Sequence, residues 1–149
     1  MQDSIEKVID LKAPVSRVWQ AITDYKEFGA WFQVDLENPF VVGEVTRGAV
    51  TYPGSEGVKW ESTTEAIEPE RLFSFRWCPY ADDNEIDYSK EPTMLVEFRL
   101  EPTSTGTRLV VTESGFSKLP DKAMATEALR RNTSGWDIQA GHITAYVES

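Results

Sequence analysis

Cysteine and histidine are almost absent from this chain of 149 residues, which has one of each, Cys78 and His142. A single cysteine excludes a disulfide bond within the chain and any zinc site that needs several cysteines. A single histidine excludes metal sites that are rich in histidine. The sequence therefore predicts no metal site.

Long hydrophobic segments are also missing. The longest apolar stretches cover only a few residues, as at residues 109–111, whereas a membrane-spanning helix needs about 20. The first ten residues contain acidic Asp3 and Glu6 and no apolar core, so a cleaved secretory signal is not expected. We therefore predict no membrane span and a cytoplasmic location.

Basic residues are outnumbered, with 15 lysines and arginines against 25 acidic residues and a formal net charge of -10. A surface with this charge repels the phosphates of nucleic acids and of anionic membranes, so neither is an expected partner. Hydrophobic residues make up 40% of the chain and charged residues 27%, which is ordinary for a globular protein. The length fits one domain, and we predict a single domain over residues 1–149.

The first part of the chain predicts a strand followed by two short helices. Residues 4–11 largely alternate between apolar and charged side chains, which is typical of a strand. Pro14 suits the start of a helix, and Val15, Val18 and Trp19 recur behind it at helical spacing. Residues 24–32 place further aromatic side chains on one helical face, with Gly29 allowing a close approach or a break.

The middle of the chain predicts an antiparallel sheet. Glycine and proline recur at short intervals from Gly43 to Gly57, which is too frequent for helices and suits hairpins. The predicted strands cover residues 41–46 and 49–52, which form one hairpin, and then residues 58–67, 71–78, 94–100 and 107–114. Together with the first strand they give about six or seven strands.

A long helix is predicted over residues 120–147. Its apolar side chains recur with a period of about 3.6 and form a stripe of Met124, Leu129, Trp136, Ala140, Ile143 and Val147. Only the sheet offers enough apolar surface to cover that stripe. We therefore predict an α+β fold in which an antiparallel sheet wraps around a long C-terminal helix.

Five segments of this sequence stand out together: APVSRVWQAITD at residues 13–24, WF at 31–32, GEV at 43–45, TRLVVTESGF at 107–116 and GW at 135–136. In this order they resemble the START-like superfamily, also called SRPBCC or helix-grip. Within it, the chain is most similar to the family named for activators of the heat shock protein 90 ATPase. The resemblance covers nearly the whole chain.

The resemblance implies a helix-grip fold with a deep cavity between the concave face of the sheet and the long helix. Such a cavity often holds an apolar small molecule. The superfamily also includes polyketide cyclases, lipid transfer domains and hormone receptors. The family name implies a different role, as a protein-interaction module that acts on a chaperone ATPase.

Large aromatic side chains are the main candidates for lining such a cavity, because they combine apolar area with a polar group. The candidate ligand-binding residues are Trp31, Phe40, Trp60, Phe75, Trp77, Phe98, Val111, Glu113, Trp136 and Ile143. The alternative is ordinary core packing, since a continuous core also uses aromatic residues. We expect about half of the aromatic set to line a cavity.

Glu113 shares the inward parity of Leu109 and Val111 on its predicted strand. A carboxylate in an apolar enclosure must find a partner, shift its pKa upward or face water. It could orient a polar group of a ligand or act as an acid or base. The alternative is a rim glutamate paired with a lysine or arginine.

His142 and Cys78 are weaker candidates for chemistry. His142 lies at the edge of the helix stripe and is expected to be a partly exposed structural residue, although it could cap a pocket or transfer a proton. Cys78 could act as a nucleophile if His142 approached it, but a lone cysteine in a strand is more often a small buried apolar residue.

Motifs for cofactors are not found. The acidic segment at residues 81–88 fails as an EF-hand, because Tyr88 and Met94 occupy its glycine and glutamate positions. It is better read as a solvated loop that gates a cavity or meets a partner. The glycines at residues 54–57 lack the lysine of a phosphate-binding loop. We therefore expect no cofactor.

The sequence leaves three functions open. The first is a binder of a hydrophobic or aromatic small molecule, such as a lipid, sterol, flavonoid or polyketide-like compound, without catalysis. The second is a protein-interaction module with a chaperone or other protein as its partner. The third is a cyclase or hydrolase that uses Glu113 with His142 or a tyrosine.

Overall fold

The structure is a computed structural model that describes residues 3–79, 83–88 and 90–149. Its elements, in chain order, are β1 (Ser4–Leu11), α1 (Val15–Thr23), α2 (Tyr25–Phe32), β2 (Val34–Leu36), β3 (Val45–Val50), β4 (Lys59–Glu68), β5 (Leu72–Trp77), β6 (Met94–Thr103), β7 (Gly106–Ser114) and α3 (Lys122–Glu148). A short 3-10 helix, Phe116–Lys118, lies between β7 and α3. The predicted first strand, pair of short helices and long C-terminal helix are confirmed.

The seven strands form one antiparallel sheet in the order β1-β7-β6-β5-β4-β3-β2. Alternation along β6 and β7 places Met94, Val96, Phe98, Leu100, Leu109 and Val111 on one buried face. The long helix α3 supplies Trp136, Ile143 and Val147 to the same core. The α+β helix-grip prediction is confirmed.

The predicted hairpin of residues 41–46 and 49–52 is wrong. Those residues contribute one strand, β3, and Gly48 lies inside it, between Leu36 of β2 and Trp60 of β4. A Cβ atom at Gly48 would stand 2.2 Å from the carbonyl oxygen of Asp35. The glycine therefore serves the close approach of β2, a three-residue strand that the sequence analysis did not predict.

Part of the predicted helix stripe is also wrong. Met124 is 44% exposed, and the first turns of α3 are buried through Ala125 and Ala128 instead. At about 100° per residue, Met124 lies roughly 120° from Trp136 around the helix, whereas Ala125 lies within about 20° of it. The helix begins at Lys122, where the side chain of Asp121 accepts hydrogen bonds from the amides of Ala123 and Met124.

Glu27 joins the three helices. Its Oε1 atom pairs with Nη1 of Arg17 from α1 at 2.5 Å and accepts a hydrogen bond of 3.0 Å from the hydroxyl of Tyr146 in α3. The guanidinium of Arg17 also lies 5.0 Å from the ring centroid of Tyr146. These contacts fix the C-terminal end of α3 against the helical pair.

In the part of the chain that the structure describes, no helix has the length and apolar character needed to cross a membrane.

Candidate functional site

Aromatic rings fill the centre of the space between the sheet and the helices. The ring of Phe28 is fully buried and lies 5.0 to 6.4 Å, centroid to centroid, from six others, those of Trp31, Phe32, Phe40, Trp60, Phe75 and Phe98. Edge-to-face pairs dominate, which is the favourable arrangement for such rings. Ligand-sized open space lies at one end of the sheet.

That open space is a groove of about 670 Å³ at the start of β4 and the end of β5. Its aromatic wall consists of Phe32, Trp60 and Trp77, and the rings of Trp60 and Trp77 lie 5.0 Å apart. Polar side chains that line it include Lys59, Glu61, Thr63 and Arg76. The groove therefore offers an apolar wall of mutually tilted rings beside a polar rim.

The segment 83–88 forms the mouth of the groove. Asn84 attaches it to the sheet, because its Nδ2 donates to the carbonyl oxygen of Gly57 and its Oδ1 accepts from the amide of Lys59. Ile86 lines the groove and is 53% exposed. Ala81 and Asp82, which the sequence analysis assigned to the same acidic loop, lie outside the described residues.

Glu113 of β7 is completely buried, as its predicted inward parity required. Its Oε2 accepts a hydrogen bond of 2.7 Å from the indole of Trp77, and its Oε1 accepts one of 2.9 Å from the indole of Trp136. The amide Nδ2 of Asn132 donates to both oxygens, at 3.0 and 3.1 Å. The expected alternative of a rim glutamate paired with lysine or arginine is wrong.

Burial raises the pKa of the Glu113 carboxyl group above its ordinary value of 4.5. The indole and amide donors act in the opposite direction, because they stabilise the charged form. Among the described residues, neither lysine nor arginine forms a hydrogen bond with it. The carboxyl group is thus an acceptor that holds two tryptophans and one asparagine in place.

Each of those three donors lines a second, smaller cavity of about 90 Å³, which we call the slot. Its wall consists of Phe32, Trp77, Asn132, Gly135, Trp136 and Gln139. The slot shares Phe32 and Trp77 with the groove. Glu113 therefore holds three of the six slot residues in place, although it does not line the slot itself.

The predicted ligand-binding residues fall into two groups. Trp60 and Trp77 line the groove, and Trp77 and Trp136 line the slot. The others are buried among core side chains and line neither space, namely Trp31, Phe40, Phe75, Phe98, Val111, Glu113 and Ile143. The role of all of them in binding stays a prediction.

The structure does not bring the two candidate catalytic residues, Glu113 and His142, into hydrogen-bond contact. Nδ1 of His142 lies 2.9 Å from Oε1 of Gln139, and its ring lies 6.1 Å from that of Tyr52. His142 is partly exposed, as expected. Cys78 lines the groove and is half-buried.

Several residues of the site were not predicted as ligand-binding from the sequence, among them Phe32, Asn132 and Gln139. Asn132, Gly135, Trp136 and Gln139 follow the spacing i, i+3, i+4 and i+7, which places them on one helix face. That spacing was the one signal in the sequence that could have indicated the slot. A search for apolar periodicity overlooks it, because two of the four side chains are amides. Among the described residues, no cluster of histidine, cysteine and carboxylate side chains could hold a metal ion.

Solved structures with this architecture come from several bacteria. A protein from Mesorhizobium loti is 20% identical with a TM-score of 0.77, and the match covers 97% of this chain and 96% of that one. A protein from Arthrobacter aurescens is 18% identical with a TM-score of 0.79, covering 97% and 86%. These similarities show the fold.

DynU16, a protein of the dynemicin biosynthetic locus, is 24% identical with a TM-score of 0.77. The match covers all of this chain but 48% of that protein, so this chain spans about half of its length. None of the curated proteins matches the chain. The family model described as Activator of Hsp90 ATPase homolog 1-like protein matches residues 12–148. The chain therefore belongs to this family.

Proposed function

We propose that the protein binds a hydrophobic or aromatic small molecule in the groove, without catalysis. The observation that carries this proposal is the open groove of about 670 Å³ with Phe32, Trp60 and Trp77 in its wall. Its volume lies within the range of small-molecule sites, which are usually lined by aromatic side chains with a few polar groups. Lipids, sterols, flavonoids and polyketide-like compounds are the ligand classes to test.

The origin of one structural neighbour supports a small-molecule ligand. DynU16 is a protein of the dynemicin biosynthetic locus, so a similar fold is encoded where a small molecule is made. Polar side chains on the groove, among them Lys59, Glu61 and Thr63, would orient a ligand that also carries hydroxyl or carbonyl groups.

The test is a thermal-shift screen against the four ligand classes, followed by tryptophan quenching on each hit. A ligand that binds only the folded state raises the melting temperature by mass action, and Trp60 and Trp77 in the wall should be quenched. Ile86→Glu should weaken a hit at least about tenfold, because it replaces an apolar side chain that lines the mouth of the groove by a charged one.

Ile138→Glu is the matched control. Ile138 is 45% exposed, on α3, and does not line the groove, so its substitution should leave binding unchanged. Equal weakening by both variants, or no hit in any class, would overturn the proposal.

The second candidate is a protein partner, for which the family description names an activator of the Hsp90 ATPase. The adjacent side chains of Val41 and Val42 are 44% and 54% exposed and offer an apolar contact. Pull-down with purified Hsp90 tests this candidate. Complex formation without any small-molecule hit would favour it.

An enzymatic role is the third candidate. It rests on Glu113, because burial raises the pKa of its carboxyl group. The carboxyl group lies behind the side chains of Trp77, Asn132 and Trp136 and has no exposed surface. Turnover of a bound ligand that is lost in Glu113→Gln while binding is kept would support this role.

A further inference from the structure

The side of α3 that faces away from the sheet carries very little charge. Residues 132–147 contain one charged side chain, Asp137, although charged residues make up 27% of the whole chain. Asp137 is paired with Lys7 of β1. Six exposed residues of α3 follow one another at alternating spacings of three and four, and we call them the outer seam: Arg131, Ser134, Ile138, Gly141, Ala145 and Glu148. This spacing is the pattern by which one helix packs along another.

The middle of the outer seam combines a projecting side chain with an open position. Ile138 is 45% exposed. A Cβ atom at Gly141 would meet no atom within 4 Å, so packing within the protein does not require glycine there. Glycine also weakens a helix relative to alanine. Because Gly141 lies one turn from Ile138, it leaves room for a side chain of a second helix that packs on the seam.

The two ends of the outer seam are oppositely charged. Arg131 is exposed at one end. Glu148 lies at the other end and is held in position, because its Oε2 accepts a hydrogen bond of 2.8 Å from the backbone amide of Lys12. The seam is therefore complementary in charge to a copy of itself that runs in the opposite direction.

A two-fold axis through the middle of the outer seam would match its residues in pairs. The axis lies midway between Ile138 and Gly141, and every other residue of the seam has a counterpart at the same distance on the other side. Closed two-fold interfaces of this kind are the commonest in soluble homo-oligomers. The pairs, each with one member from either copy, are Arg131 with Glu148, Ser134 with Ala145, and Ile138 with Gly141.

We propose that the outer seam is the interface of a two-fold dimer, in which α3 of one copy packs antiparallel on α3 of another. A single helix face is small compared with the interfaces of permanent dimers, so the association is weak and reversible. None of the six seam residues lines the groove or the slot. The inference therefore does not rest on the proposed function.

Sedimentation equilibrium up to about 1 mM protein tests for the dimer. The buffer contains 150 mM sodium chloride, because this salt screens the repulsion between two copies that each have a net charge of -10. Ile138→Glu should raise the dissociation constant at least about tenfold, because it places a carboxylate from each copy in the apolar middle of the interface. A wild type that stays monomeric over the whole range would overturn the inference.

Met124→Glu is the matched control for Ile138→Glu. Met124 is 44% exposed on the same helix, but it lies about 10 Å before the seam begins, where the helix of the second copy has already ended. It adds the same charge and should leave the dissociation constant unchanged. Equal weakening by the two variants would contradict the proposed interface.

Charge reversal tests the pairing of the two ends. Arg131→Glu should weaken the dimer at least about fivefold, because it sets two carboxylates opposite each other. Adding Glu148→Arg should restore the wild-type dissociation constant, because the pair is rebuilt in reverse. Adding Glu101→Arg instead gives the same net charge at an exposed position of β6 and should not restore it. Equal recovery by both double variants, or by neither, would show that the ends do not pair.

Disulfide cross-linking tests the antiparallel direction, with Cys78→Ser as the background. A mixture of Ser134→Cys chains and Ala145→Cys chains should form a cross-linked dimer, because these positions lie opposite each other. Either variant alone should not, because residue 134 of one copy lies about 16 Å along the axis from residue 134 of the other, too far for a disulfide. Cross-links within a single variant and none in the mixture would contradict the inference.

Discussion

Glu113 is the side chain whose chemistry depends most on its surroundings. It is buried, no cationic side chain in the described part of the chain pairs with it, and its hydrogen bonds come from two indoles and one amide. Burial of a carboxyl group disfavours the charged form, which explains why its pKa is raised. The consequence is a pH dependence of stability whose direction can be stated.

Glu113→Gln tests that direction. Below pH 4.5 the carboxyl group is protonated in both the folded and unfolded chains, whereas above it the unfolded chain loses the proton first. The free energy of unfolding of the wild type should therefore fall, relative to Glu113→Gln, as the pH rises from 4.5 toward the raised pKa. Urea unfolding of both proteins between pH 4 and 8 measures this difference.

Glutamine also leaves one indole opposite an amide N–H instead of an oxygen, which should cost about 1–3 kcal/mol at all pH values. The test is therefore how the difference in free energy of unfolding between the two proteins changes with pH, and not how large that difference is at one pH. A difference that is constant from pH 4 to 8 would contradict the raised pKa.

Alternation along β7 was enough to predict that Glu113 points inward. Its partners were not predictable, because Trp77, Asn132 and Trp136 come from distant parts of the sequence and meet only through the packing of α3 on the sheet. The slot was not predictable for the same reason, because its lining combines one face of α3 with Phe32 and Trp77 from other parts of the sequence.

Among the secondary structure elements, β3 shows how a glycine can mislead. Gly48 resembles a turn signal in sequence, but its lack of a side chain lets β2 approach so closely that a Cβ atom would overlap the backbone of Asp35. The strand β7, with clear alternation, was predicted to within one residue of its observed ends. The strand β6 begins where it was predicted but runs three residues past its predicted end, because residues 101–103 are exposed and show no alternation. A three-residue strand such as β2 has too few residues to show a period.

Gly48→Ala should lower the free energy of unfolding by about 1–3 kcal/mol, because the added methyl group overlaps the backbone of Asp35. Chemical unfolding monitored by tryptophan fluorescence measures the change. Gly141→Ala is the control and should be neutral or stabilising, since nothing lies near its Cβ position. A neutral Gly48→Ala would show that β2 does not hold its observed position.

For the molecule as a whole, the net charge of -10 is the dominant electrostatic feature. Several salt bridges join two exposed side chains, such as Arg47 with Glu61 and Arg108 with Asp10, and such pairs contribute little. Repulsion among the surplus carboxylates acts over the entire surface and favours expansion of the chain.

Raising sodium chloride from 10 to 150 mM should therefore raise the melting temperature by a few degrees, because salt shortens the range of this repulsion to about 8 Å. Differential scanning fluorimetry at pH 7 measures the effect. A fall in melting temperature over this range would indicate that the ion pairs outweigh the repulsion.

The sheet is open, so two of its strands have neighbours on one side only, β1 and β2. Exposed backbone at such borders is a template on which another chain can add a strand. At one border β2 presents only three residues, and at the other β1 carries the charged side chains of Glu6, Lys7 and Asp10. Both borders are thus poor starting points for fibril growth, and the protein should resist strand-mediated self-assembly even when it is concentrated.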